Sequence, residues 1–325
     1  MSDPSDVIAP ANRQAIIIVG AGMAGLACAR RLAAAGHTAL ILDKGRGIGG
    51  RMATRRGTYG QRFDHGAQYI TLRDPAFQTA MAGLGDAVAA WPEAGAGRVV
   101  GVPGMSALPK RLAEGLEIRQ QTQVTALGQS GEGWRVETTN GVFLADRLVL
   151  TPPSPQTSAL LAPVDPALSA AALASQYDPC LTLMLEAGPA APEAPALMRE
   201  ADGPTAWIAR DTSKPGRPVA AALGALWVVQ AGPEWSRTHL ELSPPEIADR
   251  MLPAAVKRLG LDTGQIRSAS AHRWRYARVS TPLETPFLCN AEGTIYAGGD
   301  WCLGPRVEAA WLSGTAIADA LLAAG

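Results

Sequence analysis

The chain has 325 residues, 47% of them hydrophobic and 18% charged, and its formal net charge is zero. That balance excludes a disordered chain and a polyelectrolyte partner such as nucleic acid, and the length favours about two domains. The four cysteines show no CxxC spacing and the four histidines no HExxH pattern, so free thiols and no metal site are expected.

Residues 1–14, "MSDPSDVIAPANRQ", lack a basic and an apolar region and read as a flexible leader, not a secretion signal. No apolar run is long enough to cross a membrane, and a soluble cytoplasmic protein is expected. "AIIIVG", residues 15–20, reads as a buried parallel strand. Residues 23–35 then predict a helix closed by Gly36, and "TALILD" a second strand. Residues 119–150 alternate in short runs separated by "GQSGEG" and "NG", which predicts an antiparallel meander inserted between sheet strands. Strands are expected at 181–186, 206–210, 225–230 and 268–277. Ser243 and Glu246 form a capping box with Pro244 at the first helical position, so a helix should run from there to Gly260 with a kink at Pro253. The tail returns to a strand, "TIYAG", a glycine turn and a long apolar helix. The fold class is α/β: a Rossmann-like dinucleotide-binding domain carrying the meander, plus a mixed-sheet α+β domain facing substrate. The boundaries are 15–75, 98–160 and 291–325 for the first, and 76–97 and 161–290 for the second.

Gly20, Gly22 and Gly25 form G-x-G-x-x-G between the first strand and helix, and Asp43 closes the second strand eighteen residues later. Gly20 permits a tight turn, Gly22 admits a pyrophosphate, and Gly25 allows close packing, while the helix start offers N–H groups to phosphate and Asp43 accepts from a ribose diol. "GRGIGG", residues 45–50, matches the same expression without a βαβ unit of its own. Its glycine pair, Gly49 and Gly50, with Arg46 and Arg51, is more than a simple nicotinamide dehydrogenase needs and points to FAD. On the strand 268–277, His272, Trp274 and Tyr276 share one face and Arg273 and Arg275 the other.

"IIIVGAGMAGL", "GGRM", "DHGAQY", "VPGMSAL", "HRWRYA" and "GGDWCLGPRVEAAWLSG" occur in this order in renalase-type flavoproteins, a branch of the amine-oxidase-like FAD oxidoreductases. The chain resembles that family from residue 15 to its end. The resemblance implies noncovalent FAD along Gly20, Gly22, Met23, Ala24, Gly25, Asp43, Lys44, Arg46, Gly50, Arg51 and Met52, with the main chain of Val124 at the adenine. It implies that Asp300 meets the ribityl and pyrophosphate part, and that the helix starting at Arg306 and Val307, with Pro305 in its first turn, supports negative charge on the ring. Gln68 and Tyr69 become flavin neighbours. Cys302 does not follow the pattern of covalently attached flavins. Tyr69, His272 and Trp301 are the catalytic candidates; for Tyr69 and Trp301 the alternative is core packing, for His272 a structural strand position, and for Asp300 a helix cap. Lys214 lies in "ARDTSKPGR", where Asp211 replaces the asparagine of the family's loop and puts that loop's anion contacts in doubt.

The implied reaction is oxidation of 2- or 6-dihydro isomers of NAD(P) to β-NAD(P)+, with O2 as electron acceptor and H2O2 as product. Hydride leaves a dihydropyridine carbon as aromaticity is gained, so placement, not a general base, is the protein's task. Three other readings stand beside it: an amine oxidase or desaturase on the same architecture, a non-catalytic binding protein like the GDP-dissociation inhibitors of small GTPases, and a plain NAD-dependent dehydrogenase, which leaves the second glycine pair and Asp300 without a role.

Overall fold

A computed structural model describes residues 13–57, 60–131, 133–188, 194–217 and 224–324. Residues 1–12 of the expected leader lie outside these described residues. The chain divides into two compact units: unit 1 is Met1–Gly50, Leu112–Gln176 and Ser280–Gly325, and unit 2 is Arg51–Arg111 and Tyr177–Val279. These limits differ from those expected: residues 51–75 and 98–111 fall in unit 2, and 161–176 and 280–290 in unit 1. The reason is that the segment after the second strand bonds to distant residues; the Asp64 amide donates to Asp211, and the Trp274 indole donates to the His65 carbonyl. Segments this short carry no periodicity that reveals which sheet they join.

Unit 1 is built on an eight-stranded sheet. Its strands are β1 (Arg13–Val19), β2 (Leu40–Leu42), β8 (Glu117–Arg119), β9 (Val124–Ser130), β10 (Gly133–Thr138), β11 (Gly141–Leu150), β17 (Leu288–Cys289) and β18 (Ile295–Ala297). The order is β17-β18-β11-β1-β2-β8, with β10 on β11 and β9 on β10. β1 is parallel to β2 and β11, β11 to β18, and β2 to β8. β1 starts at Arg13, two residues earlier than expected, because Arg13 and Gln14 pair with Leu144 and Ala145. β11 runs for ten residues and has two sets of partners: its first half makes the antiparallel meander with β10, and its last residues lie between β1 and β18. Both faces of β1 and β2 are buried toward their C-terminal ends, which is why they read as continuous apolar runs.

The helices of unit 1 are α1 (Met23–Ala34), α4 (Ser154–Leu161), α5 (Pro166–Ala172), the short α8 (Asp300–Leu303) and α9 (Val307–Ala323). α1 and α9 pack on each other through a backbone approach: a Cβ on Gly314 would be driven into the carbonyl of Ala24. No helix among the described residues is long and apolar enough to cross a membrane.

Unit 2 holds a five-stranded sheet of order β13-β14-β15-β12-β16, from β12 (Gln176–Ala187), β13 (Leu197–Arg199), β14 (Trp207–Arg210), β15 (Ala225–Gln230) and β16 (Ile266–Thr281). The β12–β15, β13–β14 and β14–β15 pairings are antiparallel. The first segment adds the hairpin β3 (Arg55–Arg56) and β4 (Arg62–Phe63), and a three-stranded sheet β5-β7-β6 from β5 (Ile70–Thr71), β6 (Val88–Ala90) and β7 (Arg98–Gly101). Its helices are α2 (Pro75–Ala82), α6 (Pro233–Thr238) and α7 (Pro244–Leu259), while α3 (Ala107–Ala113) crosses the boundary between the units. α7 carries both bonds of the Ser243–Glu246 capping box, ends at a left-handed Gly260, and runs through Pro253 as one helix. It buries Ile247, Ala248, Met251, Ala255 and Leu259 in one core with Leu181, Leu183, Leu185, Trp227 and Val229 of the sheet.

Gly314→Ala should cost about 2 kcal/mol of stability or more, because backbone lies where the new methyl must go. Urea unfolding monitored by circular dichroism measures it; an unchanged midpoint would mean that α1 and α9 separate without penalty.

Candidate functional site

In unit 1 the C-terminal ends of β1, β11 and β18 lie side by side, and the two candidate segments from opposite ends of the chain meet there. Thr151, just after β11, is the bridge. Its hydroxyl donates to the carbonyl of Val19 at 2.8 Å and its amide to the same oxygen at 3.0 Å. Beyond it, the Gly298 amide donates to the Leu150 carbonyl at 3.0 Å, and the Trp301 indole to that of Pro152 at 3.2 Å. Gly20 has φ +102°, and a Cβ there would stand 2.8 Å from the Thr151 hydroxyl; a Cβ on Gly25 would overlap the Gly20 carbonyl. Both positions therefore require glycine.

The rim of this edge is open where a dinucleotide needs it. Gly22 caps α1 with no side-chain hydrogen bond, and the space beside its α-carbon holds nothing within 4 Å. The same is true beside Gly50. Asp43 accepts from the amides of Ala21 and Gly45, both at 2.7 Å, which fixes its carboxylate beside the glycine turn and leaves each oxygen further acceptor capacity. The residues present thus fit the phosphates and a ribose of an adenine dinucleotide. Met23, Ala24 and Gly25 are buried in α1, and Val124 is buried at the start of β9. Lys44 donates to Gln156 at 3.0 Å, and Arg46 is exposed.

Asp300 is 7% exposed and opens α8, a helix not anticipated from the sequence. α8 ends at Gly304, whose amide closes on the Asp300 carbonyl, and α9 restarts with Arg306 as its N-cap. Pro305 therefore precedes the helix and is not in its first turn. The start of α9 at Val307 carries no side-chain cap bond from its N-cap residue, and its positive dipole end has the buried Glu308 in its first turn. Trp301 is fully buried, which is its core-packing alternative. Cys302 is buried too, and burial pushes its thiol up to about 12, far from a reactive thiolate.

The other candidates lie in unit 2. Arg51, expected beside the pyrophosphate, donates to the Ala277 carbonyl at 3.3 Å and stands 5.6 Å from the Tyr177 ring. Met52 is buried in the turn Gly50–Met52. Tyr69 has the Arg98 guanidinium 4.8 Å over its ring, accepts from Arg199 at 3.2 Å, and leans on Trp207 at 5.8 Å. His272 and Trp274 share a face as expected, with rings 4.4 Å apart, and Arg273 and Arg275 point the other way to the Leu240 carbonyl and Glu241.

Sequence reasoning missed His65, although it quoted the segment that holds it. Its ring meets His272 at 4.8 Å and Trp274 at 5.2 Å, it is 6% exposed, and its Nδ1 has no hydrogen-bond partner. Burial, then the neighbouring His272, pushes its pKa down to about 4. Burial and Arg55 lower His272 as well. Two neutral imidazoles result.

Also missed was the environment of Lys214. It is buried, not a solvent-facing anion contact, and pairs with Asp211 and with Asp64, the latter at 3.2 Å. Arg217 pairs with Asp64 as well, and all four side chains are fully buried. Burial alone would raise Asp64, yet Lys214 and Arg217, with bonds from Thr54 and Met105, hold it below the usual carboxylate range. Burial raises Asp211, and the Asp64 charge adds to it. Lys214 also donates to the Gln68 amide oxygen at 3.1 Å, while the Gln68 nitrogen donates to the carbonyls of Asp64 and Gly66. The i,i+3 spacing of Asp211 and Lys214 was the one available signal.

His65 makes stability depend on pH. Its folded pKa lies below the unfolded value near 6.5, so the unfolded chain binds the extra proton between them. This contribution is complete above pH 6.5 and falls toward pH 4, by on the order of 3 kcal/mol. His65→Gln should flatten that part of the urea-midpoint profile; an identical slope in both proteins would remove His65 as its source.

Comparisons with known proteins identify the family and the fold. A model for NAD(P)-binding Rossmann-like domains matches residues 18–84, and one for flavin containing amine oxidoreductases matches residues 85–322. An L-amino-acid oxidase of Crotalus adamanteus is 48% identical over 48 residues, a stretch that spans 15% of this chain and 9% of that protein. The structure of cyclohexylamine oxidase from Brevibacterium oxydans IH-35A aligns with a TM-score of 0.75 at 13% identity, over 95% of this chain and 98% of that one. Putrescine oxidase bound to putrescine aligns with a TM-score of 0.72 at 14% identity, over 96% and 99%. With one family model covering most of its length, the chain belongs to the flavin containing amine oxidoreductases, FAD-dependent enzymes on a Rossmann-like fold.

Proposed function

We propose that this protein oxidises 2- or 6-dihydro isomers of NAD(P) to β-NAD(P)+, on noncovalently bound FAD, with O2 as acceptor. The observation that carries this reading is the interlock of three motifs in unit 2. The Ala67 amide of "DHGAQY" donates to the Arg51 carbonyl of "GGRM" at 2.9 Å, and Trp274 of "HRWRYA" donates to His65 at 2.8 Å. Three of the six segments that carry the resemblance to renalase-type flavoproteins are thus bonded to one another, which supports the reading.

The chemistry of the side chains supports the same choice. His65 and His272 are weak bases, and Asp64 and Asp211 are tied to cations. An ammonium substrate must lose a proton before it gives up hydride; a dihydropyridine needs no such step. FAD supplies the hydride acceptor and returns two electrons to O2, so that dihydronicotinamide, O2 and a proton give the nicotinamide cation and H2O2.

Within unit 1, the uncapped amides at the start of α1 bind the pyrophosphate, and Asp43 accepts from a ribose diol. Asp300 accepts from ribityl hydroxyls, and the α9 N-terminus favours negative charge on the ring. The buried, unreactive Cys302 supports noncovalent binding. In unit 2 the neutral imidazoles of His65 and His272 offer uncharged hydrogen-bonding groups, which suit a carboxamide.

Anaerobic stopped-flow tests the reaction. 6-Dihydro-NAD should bleach the flavin within seconds, with β-NADH at least about tenfold slower and amines silent; bleaching by an amine alone would establish amine oxidation instead. Asp300→Ala should lose most of its FAD on dialysis while the wild type stays yellow, and equal retention would remove the role given to Asp300.

A further inference from the structure

The hairpin β3–β4 carries a charge arrangement that unit 2 leaves unbalanced. Arg56 and Arg62 are directly opposed in its antiparallel ladder. Opposed residues carry their Cβ atoms about 5 Å apart on one face, where like charges repel. Lys110, on α3, belongs to the same group: burial and then the charges of Arg56 and Arg62 lower its pKa. Arg56 and Lys110 are exposed and Arg62 is half-buried.

The carboxylates bonded to Arg111 and Gln61, the chain neighbours of Lys110 and Arg62, are engaged there. Asp86 pairs with Arg111 at 2.8 Å, and Glu186 accepts from Gln61 at 3.0 Å and Ser268 at 3.3 Å. Among the described residues no carboxylate bonds or pairs with Arg56, Arg62 or Lys110. By strand alternation Arg55 faces the other side of the hairpin, where it bears on His65 and His272.

We propose that Arg56, Arg62 and Lys110 form a phosphate-binding site that takes the pyrophosphate of a dinucleotide substrate, an inference that rests on the dihydronicotinamide reading above. Three cations match the charge of two or three phosphoryl groups, and arginine forks suit their oxygens. A nucleic-acid footprint engages roughly six to ten phosphates and a polybasic lipid anchor roughly four to eight cations, and this cluster is too small for either. The site also sets a preference, since an ammonium substrate is repelled by the field that draws in a dinucleotide.

Titration calorimetry of inorganic pyrophosphate into the FAD-loaded protein tests the site directly. Saturable binding is expected in wild type, at least about tenfold weaker in R56Q/R62Q, and restored to within about threefold in R56K/R62K. The glutamine variant relieves a repulsion, so its Tm should not fall. In anaerobic stopped-flow, R56Q/R62Q should raise the half-saturating concentration of 6-dihydro-NAD at least about tenfold with the limiting rate unchanged, and leave 6-dihydronicotinamide riboside, which has no phosphate, unaffected. Absence of pyrophosphate binding in wild type, equal affinity in R56Q/R62Q, or an equal effect on the riboside overturns the proposal. If no dihydronicotinamide bleaches the wild-type flavin, the functional reading fails while the pyrophosphate titration still decides whether this is a phosphate site.

Discussion

The hydroxyl of Thr151 lies between two stretches of chain that must share one sheet edge, and the candidate cofactor site depends on that clasp. From the end of β11 it holds the carbonyl of Val19 on one side, while the following residues hold Gly298 and Trp301 on the other. The bond works only because Gly20 has no side chain to collide with the hydroxyl and Gly25 none to collide with Gly20. Parallel strands placed in this way leave their crevice at the carboxyl end, where α-helix N-termini point inward and open-sheet proteins bind dinucleotides. The contact of Gly314 with Ala24 then brings α9 against α1.

Local chemistry was legible in the sequence. The glycine turn, Asp43, the meander, α7 with its capping box and α9 were all expected, because each is specified by residues a few positions apart. What escaped notice depends on distant partners. Thr151 meets Val19 across 132 positions, and Lys214 meets Asp64 across 150. Nothing local in the loop with Lys214 and Arg217 tells that it is buried together with Asp64 and Asp211. Pro305, expected in the first turn of α9, directly precedes its N-cap, since nothing local announces that α8 first closes on Asp300. His65 stayed hidden for the same reason: its importance comes from His272, two hundred residues on in the chain.

The two units divide the physical work differently. Unit 1 presents main-chain donors on a stiff parallel sheet, which suits an invariant and heavily charged cofactor. Unit 2 brings together neutral imidazoles and a tryptophan, and beside its buried charges a glutamine whose amide is held from both ends. Burial keeps those imidazoles from taking up protons at neutral pH. Of the hairpin cations, Arg55 bears on the imidazoles, whereas Arg56 and Arg62 oppose each other on the other side of the ladder.

The buried tetrad ties separate segments of unit 2 into a single electrical unit. Two negative and two positive side chains leave almost no net charge, so the loss of any one strands its partners in a medium that cannot solvate them. Joint replacement of an acid and its base by apolar residues avoids that cost. Drift at positions 64, 211, 214 and 217 is thereby coupled: descendants of this chain can cross to another interior only by passing through two changes at once, and these four sites should vary as a haplotype, not as independent letters.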